Sequence, residues 1–198
     1  MRRKEEFEVS FEELYYKDVV TPKSWRFIYE WLDSLVFALI TILVIFTFAF
    51  RVVGVSGESM VPTLQDGDWL AVKSINTQIK QGDIVVVTQP NSLNEPISKR
   101  VIALAGDEVN INFAEGTVSV NGVVLNEPYI NEPTARSYDK AFPITVPDNS
   151  VFVMGDNRNR SIDSRSSIIG FIDQRYILGV AEVRFFPIGD WKLDNYEK

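Results

Sequence analysis

A run of 17 residues without a charged side chain, residues 34–50, constrains this chain more than any other feature of its sequence. As a helix the run is about 25 Å long, slightly short of the ~30 Å apolar core of a bilayer. Val52 and Val53 extend it if the Arg51 side chain reaches back to the membrane surface. Because the run is apolar on every face, it is typical of a membrane span. The sequence therefore predicts a transmembrane helix over residues 34–53.

The charges on either side of this helix indicate its orientation. Residues 1–33 contain six basic and eight acidic residues, and the first basic residue after Arg51 is Lys73. Basic residues near a span favour the cytoplasmic side more strongly than acidic residues oppose it. We therefore expect a single-pass protein of the cell membrane, with residues 1–33 cytoplasmic and residues 54–198 extracytoplasmic. The long, acidic segment before the span and the lack of a small-x-small site after it do not fit a cleaved leader.

Residues 54–198 carry the pattern of a mainly β domain. Short runs rich in β-branched residues, such as residues 83–88, 101–104 and 151–154, are separated by Gly, Pro, Asn or Asp. The Asn-Gly pair between Val120 and Val123 predicts a tight hairpin. Many short strands with few helical stretches predict a β-barrel or sandwich. Residues 126–147, which contain four prolines, read as an irregular excursion, and we expect a small inserted subdomain at about 108–148.

The residue inventory excludes several kinds of active site. The chain contains no histidine and no cysteine, so a Ser-His-Asp triad, a thiolate nucleophile and a His- or Cys-ligated metal are all excluded. A disulfide framework is excluded for the same reason. The net charge of −7 argues against a nucleic-acid partner, which usually requires a basic patch. We expect no metal ion and no cofactor.

Three polar, glycine-containing segments lie beside apolar strands, at residues 57–64, 98–107 and 153–165. Taken alone, Ser59 in the first segment is a common turn hydroxyl, and a lysine is usually a solvated surface charge. Lys99, however, adjoins the apolar run 101–104, where loss of hydration would lower its pKa. A neutral amine can accept the proton of a serine hydroxyl. With histidine absent, these residues suggest a serine hydrolase in which Lys99 activates Ser59.

These motifs resemble the type I signal peptidases, a family of membrane-bound Ser-Lys endopeptidases. The resemblance covers roughly residues 34–190 and rests on four boxes in the family order. The boxes are Ser59-Met-x-Pro-Thr-Leu64, Gly82-Asp-Ile-Val85, Lys99-Arg-Val-Ile102 with Gly106 and Asp107, and Gly155-Asp-Asn-Arg158 with Ser161, Asp163, Arg165 and Gly170. The resemblance implies a β-rich catalytic domain of the signal peptidase type behind one N-terminal helix.

The resemblance also implies a role for each matching residue. Ser59 would be the nucleophile and Lys99 the general base. Ser161 would form a hydrogen bond that orients the Lys99 amine, since a flexible amine needs a group to hold it. Asp163 and Arg165 would form an ion pair that braces this loop.

The substrate site departs from the family pattern at Gly57. Some relatives carry at this position a serine whose hydroxyl contributes to the oxyanion hole, so here the hole would rest mainly on the Ser59 backbone N–H. Val55, Met60 and Leu64 match positions that line shallow pockets for small residues. Ile97 and Ser98, which precede the lysine, depart from the family pattern.

The implied activity is cleavage of signal peptides from exported preproteins after small residues, in an Ala-x-Ala-like context, through an acyl-enzyme. The substrate would add as an extended strand along residues 51–56. The implied partners are signal peptides and the lipid membrane, with the secretion machinery as a further candidate. A dedicated processing peptidase of the same fold is an alternative, as is a non-catalytic assembly factor derived from it. A self-cleaving regulator would need a DNA-binding module, for which residues 1–33 are too short and too acidic.

Overall fold

The computed structural model describes residues 23–74, 78–88, 95–189 and 193, which fall into two compact units divided after Ile45. Most of the predicted cytoplasmic segment, residues 1–22, lies outside the described residues. The first unit contains most of helix α1, Lys23–Ala49, and the second contains the last turn of that helix and eleven described β-strands. The prediction of a mainly β chain with one N-terminal apolar helix is confirmed.

Helix α1 is long and apolar enough to cross a membrane, and its candidate span is Phe27–Val44. Two hydroxyls within it are satisfied by the helix itself. Ser34 donates to the carbonyl of Glu30 at 2.9 Å, and Thr41 donates to the carbonyl of Phe37 at 2.8 Å. Such internal hydrogen bonds allow a polar side chain to enter a bilayer without an unpaired group.

The helix begins and ends earlier than the predicted segment, at Lys23 rather than residue 34 and at Ala49 rather than residue 53. Val52 and Val53 belong to strand β1, Phe50–Gly54, which pairs with strand β2, Trp69–Lys73. The β-branched pair satisfies its backbone groups through β2, and this long-range pairing outweighs the hydrophobic continuity of the sequence.

A seven-stranded antiparallel sheet forms the larger part of the second unit, in the order β1-β2-β11-β3-β4-β9-β10. Its remaining strands are β3 (Ile84–Val87), β4 (Ile97–Ala103), β9 (Ser150–Met154), β10 (Ile172–Asp173) and β11 (Ile177–Phe186). A 3₁₀ turn, Gln174–Tyr176, joins β10 to β11. Strand β4 lies between β3 and β9, so both of its edges are paired and its side chains are buried on both faces of the sheet.

A four-stranded sheet, in the order β7-β6-β5-β8, occupies much of the segment for which we predicted an inserted subdomain. Its strands are β5 (Glu108–Asn112), β6 (Thr117–Val120), β7 (Val123–Val124) and β8 (Ile144–Thr145). The predicted hairpin joins β6 to β7, and Asn121 and Gly122 have the positive φ angles, 53° and 77°, of a tight two-residue turn.

The core of the β unit consists of three apolar clusters. One cluster joins the two sheets, because Ile102 and Met154 of the large sheet pack with Val109 and Val118 of the small one. The inserted strands therefore share a core with the rest of the unit. A second cluster includes Val55, Met60 and Leu64, which flank Ser59 in the sequence. The turn that carries Ser59 is therefore anchored to the core on both sides of the serine.

Candidate active site

The two predicted catalytic side chains lie within hydrogen-bonding distance of each other. Nζ of Lys99 is 2.8 Å from Oγ of Ser59 and 3.0 Å from the carbonyl oxygen of Ser98. Ser59 lies in the turn between β1 and β2, and Lys99 is in the central strand β4. Because β4 is paired on both sides, the lysine is held on a rigid element while the serine approaches it from a loop.

Lys99 is only 3% exposed. Its burial lowers its pKa from 10.5 to about 8, because the charged ammonium loses hydration. The carboxylates of Asp163 and Asp156 act in the opposite direction and stabilise the ammonium. Each of these carboxylates also binds an arginine, which offsets part of its effect on the lysine. The lysine thus retains a depressed pKa although two acidic groups lie near it.

Asp163 and Arg165 form the ion pair that the motif predicted, and both side chains are fully buried. Two guanidinium nitrogens of Arg165, Nε and one Nη, each lie 2.8 Å from a carboxylate oxygen of Asp163. Asp163 also accepts a hydrogen bond from the Gly155 N–H at 3.0 Å, and Arg165 donates to the carbonyl of Arg158 at 2.6 Å. The pair therefore closes the loop 155–165 on itself.

Ser161 lies near the backbone of Ser59, but the hydrogen bond that we predicted from it to Lys99 is not present within the described residues. Within the described residues its buried Oγ has no hydrogen-bond partner. Its carbonyl accepts a hydrogen bond from the Tyr138 hydroxyl at 2.6 Å. A Cβ atom built on Gly155 would lie 2.3 Å from Ser161 Oγ and 2.4 Å from the carbonyl oxygen of Ser59. Only glycine therefore allows these two loops to approach so closely.

A buried network of charges next to the site was not predicted. Arg100 binds both carboxylate oxygens of Asp156, at 2.8 and 2.7 Å, and it stacks 4.0 Å from the ring centroid of Tyr129. The Thr63 hydroxyl donates to the same carboxylate, which ties the nucleophile loop to the loop that follows β9. Burial and the nearby carboxylate of Glu127 raise the pKa of Tyr129.

One signal for this network was present in the sequence. Arg100 directly follows Lys99, and successive side chains of a strand point to opposite faces. A buried strand with a charge on each face requires a polar partner on each side. The alternation could have indicated that Arg100 is paired, but it could not have identified Asp156, which is 56 positions away in the chain.

The Ser59 N–H is an unoccupied hydrogen-bond donor within the described residues. The Gly57 N–H donates to Asp66 Oδ1 at 2.8 Å, and Gly57 has a φ of 82°. The carbonyl of Ser59 accepts from the Asn157 N–H at 3.1 Å, and that of Glu58 accepts from the Asn157 side-chain amide at 3.0 Å.

A cleft of about 450 Å³ opens beside Ser59 and Lys99. Its lining combines the extended stretch before Lys99 with residues from the turn that carries Ser59 and from the loop that follows β9. The lining residues are Ser56, Ser59, Glu95, Pro96, Ile97, Ser98, Lys99, Arg160 and Ile162. The extended stretch 95–98, in which we expected Ile97 and Ser98 to depart from the family pattern, therefore forms part of the cleft lining.

The three residues that we predicted as subsite residues, Val55, Met60 and Leu64, are not among the residues that line this cleft. Their exposed fractions are 8%, 1% and 0%, and they pack in a core cluster with Leu70 and Val72. Burial in the core satisfies these apolar side chains, and the apolar residues that line the cleft are instead Pro96, Ile97 and Ile162. Among the described residues, no group of three or more acidic side chains could hold a metal ion.

Comparison with known proteins identifies the family. The family model described as "Signal peptidase, peptidase S26" matches residues 28–186. A probable signal peptidase I-1 of Synechocystis sp. is 38% identical over 180 residues, which cover 86% of this chain and 88% of that relative. A signal peptidase I of Bacillus licheniformis is 35% identical over 173 residues, covering 82% and 91%.

Among solved structures, a signal peptidase I from Enterococcus faecalis V583 is 33% identical. The match covers 52% of this chain and 97% of that chain, with a TM-score of 0.43. From the family match and the identity to the relatives, the chain belongs to the signal peptidase family, peptidase S26. The family predicted from the motifs is confirmed, and so is the prediction of a hydrolase.

Proposed function

We propose that the chain is a signal peptidase I that cleaves preproteins with a Ser59–Lys99 dyad through an acyl-enzyme. The observation that carries this proposal is the 2.8 Å separation of Lys99 Nζ and Ser59 Oγ, made by a lysine that is almost fully buried. A pKa of about 8 raises the neutral fraction of the amine at pH 7 from about 3 in 10,000 to about one in ten. The neutral amine accepts the hydrogen bond of the serine hydroxyl and can take its proton.

In the proposed reaction, Ser59 Oγ attacks the scissile carbonyl carbon while its proton passes to Lys99 Nζ. The carbonyl oxygen becomes an oxyanion, which accepts a hydrogen bond from the unoccupied Ser59 N–H. Collapse of this intermediate breaks the C–N bond, and Lys99 returns the proton to the leaving amine. Water then attacks the ester carbonyl carbon while its proton passes to the neutral Lys99 Nζ. Collapse breaks the bond between that carbon and Ser59 Oγ, and Lys99 returns the proton to Oγ. The ion pair of Asp163 and Arg165 supports the loop on which Ser161 lies.

We propose that the substrate binds as an extended segment in the cleft between Ser56 and residues 95–98. An extended peptide can pair with an exposed backbone edge, while shallow pockets select alternate side chains. Selection of small residues, in an Ala-x-Ala-like pattern, fits a cleft whose apolar walls, Ile97 and Ile162, lie close to Ser59. The predicted subsite role of Val55, Met60 and Leu64 would then be indirect, through their packing beneath the nucleophile loop.

The apolar helix is the proposed membrane anchor, with the segment before it in the cytoplasm and the β unit outside. Tethering the β unit to the bilayer raises its effective concentration toward signal peptides, whose apolar segments enter the same membrane. The secretion machinery that delivers preproteins is a further proposed partner.

The dyad is tested by comparing Ser59→Ala and Lys99→Met with a control lysine variant, Lys140→Met. Full-length proteins in detergent are assayed on a synthetic peptide that carries an Ala-x-Ala cleavage site. Loss of the nucleophile or of the base is expected to lower kcat by at least about 10³-fold. Lys140 lies over the ring of Phe171 and is not among the residues that line the cleft, so its variant should retain activity. Cleavage by Lys99→Met at the wild-type rate would refute the dyad.

A further inference from the structure

Asn157 makes two hydrogen bonds to the peptide units on either side of the nucleophile. Its side-chain amide nitrogen donates to the carbonyl of Glu58 at 3.0 Å, and its backbone N–H donates to the carbonyl of Ser59 at 3.1 Å. Asn157 is 3% exposed, and it is 99 positions from Glu58 in the chain. The loop that follows β9 therefore holds the nucleophile turn at two consecutive carbonyl groups.

The first of these hydrogen bonds helps to fix where the Ser59 N–H points. The Glu58 carbonyl accepts from the Asn157 side chain at 3.0 Å and also, within the turn, from the Val61 N–H at 3.2 Å. The peptide unit between Glu58 and Ser59 is not among the cis peptide bonds of the structure, so its C=O and N–H point in opposite directions. Anchoring the Glu58 carbonyl on Asn157 therefore turns the Ser59 N–H to the side away from Asn157. A hydrogen bond to the carbonyl also polarises the N–H of the same unit and makes it a stronger donor.

The side-chain oxygen of Asn157, unlike its nitrogen, does not stabilise the fold of the described residues through a hydrogen bond. Within the described residues, the buried Oδ1 of Asn157 has no hydrogen-bond partner. Leaving a buried acceptor unpaired is unfavourable, and an apolar side chain of similar shape would avoid that cost. The presence of an asparagine at this position is thus better explained by the hydrogen bond from its side-chain nitrogen to the Glu58 carbonyl than by burial of the side chain.

We infer that Asn157 is a positioning residue for the oxyanion hole, acting through the Glu58–Ser59 peptide unit. The inference rests on the proposed function, because it requires the Ser59 N–H to stabilise the oxyanion. Within the described residues, Asn157 does not line the cleft and makes no hydrogen bond to the Lys99 side chain. Its loss therefore affects the transition state while leaving substrate binding and the titration of the lysine in place.

The test compares Asn157→Ala and Asn157→Asp with Asn159→Ala, all in the full chain in detergent. Alanine removes only the side-chain hydrogen bond, and aspartate keeps the shape but cannot donate when ionised. Asn159 lies in the same loop as Asn157 and is the matched control. Its side chain makes three hydrogen bonds to residues 133–136, and none of these involves the nucleophile turn. Steady-state cleavage of a synthetic Ala-x-Ala peptide is measured across pH, together with inhibition by a peptide aldehyde.

The kcat of both Asn157 variants should fall by about 10- to 100-fold. This fall should not exceed the fall in kcat that follows removal of a whole oxyanion-hole donor. KM should stay within about twofold, and the pH midpoint of Asn157→Ala should not move. The inhibition constant of the aldehyde should rise in parallel with the loss of kcat, because its hemiacetal oxygen occupies the oxyanion hole. Asn159→Ala should keep kcat within about threefold of the wild type.

Three outcomes overturn the inference. Wild-type kcat in a folded Asn157→Asp or Asn157→Ala variant would show that the anchor is not needed. An equal loss in Asn159→Ala would show that any loosening of the loop has the same effect. A loss carried by KM, with unchanged aldehyde inhibition, would place Asn157 in substrate binding. In all three cases an inactive Ser59→Ala leaves the dyad standing, whereas an active Ser59→Ala would refute the proposed function itself.

Discussion

Replacement of Gly155 by alanine should disable the site without disturbing the fold far from it. The added Cβ would lie 2.4 Å from the carbonyl oxygen of Ser59 and 2.3 Å from Ser161 Oγ, whereas ordinary contacts begin near 3.4 Å. The serine carbonyl belongs to the backbone, so the nucleophile turn must move by about 1 Å. That carbonyl is also held by the Asn157 N–H, and the displacement strains this hydrogen bond.

A shift of about 1 Å in the position of a reacting group can cost about 100-fold in rate. We therefore expect Gly155→Ala to lower kcat by about two orders of magnitude. Overpacking of this kind also costs about 1–3 kcal/mol of stability, which lowers the midpoint of thermal unfolding by several degrees. The Ser161 hydroxyl can rotate away, but the backbone oxygen cannot, so relaxation of one contact does not remove the other.

The assay is cleavage of a synthetic Ala-x-Ala peptide by the full-length protein, with a thermal melt on the same preparation. Gly189→Ala is the matched control, because a Cβ atom at Gly189 meets nothing within 4 Å and its φ is not in the left-handed region. If Gly155→Ala cleaved within about threefold of the wild-type rate, the close approach of the two loops would not be required for catalysis, and the reasoning would be wrong.

Two further predictions concern the buried charges. The activity should rise with pH through about 8, because Lys99 is the base only when neutral. Asp163→Asn should move this rise to lower pH in a pH–rate profile, since it removes a carboxylate that favours the ammonium; an unchanged or higher midpoint would contradict the assigned cause. Arg100→Leu leaves Asp156 as a buried, uncompensated charge, which costs about 3–5 kcal/mol and should lower the thermal midpoint by roughly 10 °C. The exposed Arg160, paired with a glutamate, is the comparison: Arg160→Ala should shift the midpoint by less than about 2 °C, and equal shifts would refute the role of burial.

Local features of the chain could be predicted from the sequence without knowledge of the tertiary structure. The uncharged run identified the helix, because membrane spans are set by length and composition alone. The Asn-Gly pair identified the β6–β7 hairpin, because positive φ angles at both turn positions favour these residue types. The absence of histidine made lysine the expected base, and the order of the motifs predicted Lys99 for that role. The end of helix α1 was misplaced because Val52 and Val53 are as compatible with a span as with strand β1.

The partners of each site residue were decided only by the tertiary structure. Their positions along the motif predicted that Val55, Met60 and Leu64 line a pocket. In the structure these side chains pack against Leu70 and Val72 in the core. Positions along a motif do not distinguish a side chain that faces the cleft from one that supports it.

The proposed nucleophile and base could therefore be predicted from residue chemistry, whereas the groups around them could not. Ser59 and Lys99 stand out because few side chains can perform their chemistry. Arg100, Asp156 and Asn157 do not, because arginine, aspartate and asparagine are ordinary surface residues until burial requires them to find partners. Those partners lie 56 to 99 positions away in the chain. The pairing of β4 with β9 sets Arg100 opposite Met154, two residues before Asp156, and the fold of the whole β unit brings this loop to the Ser59 turn.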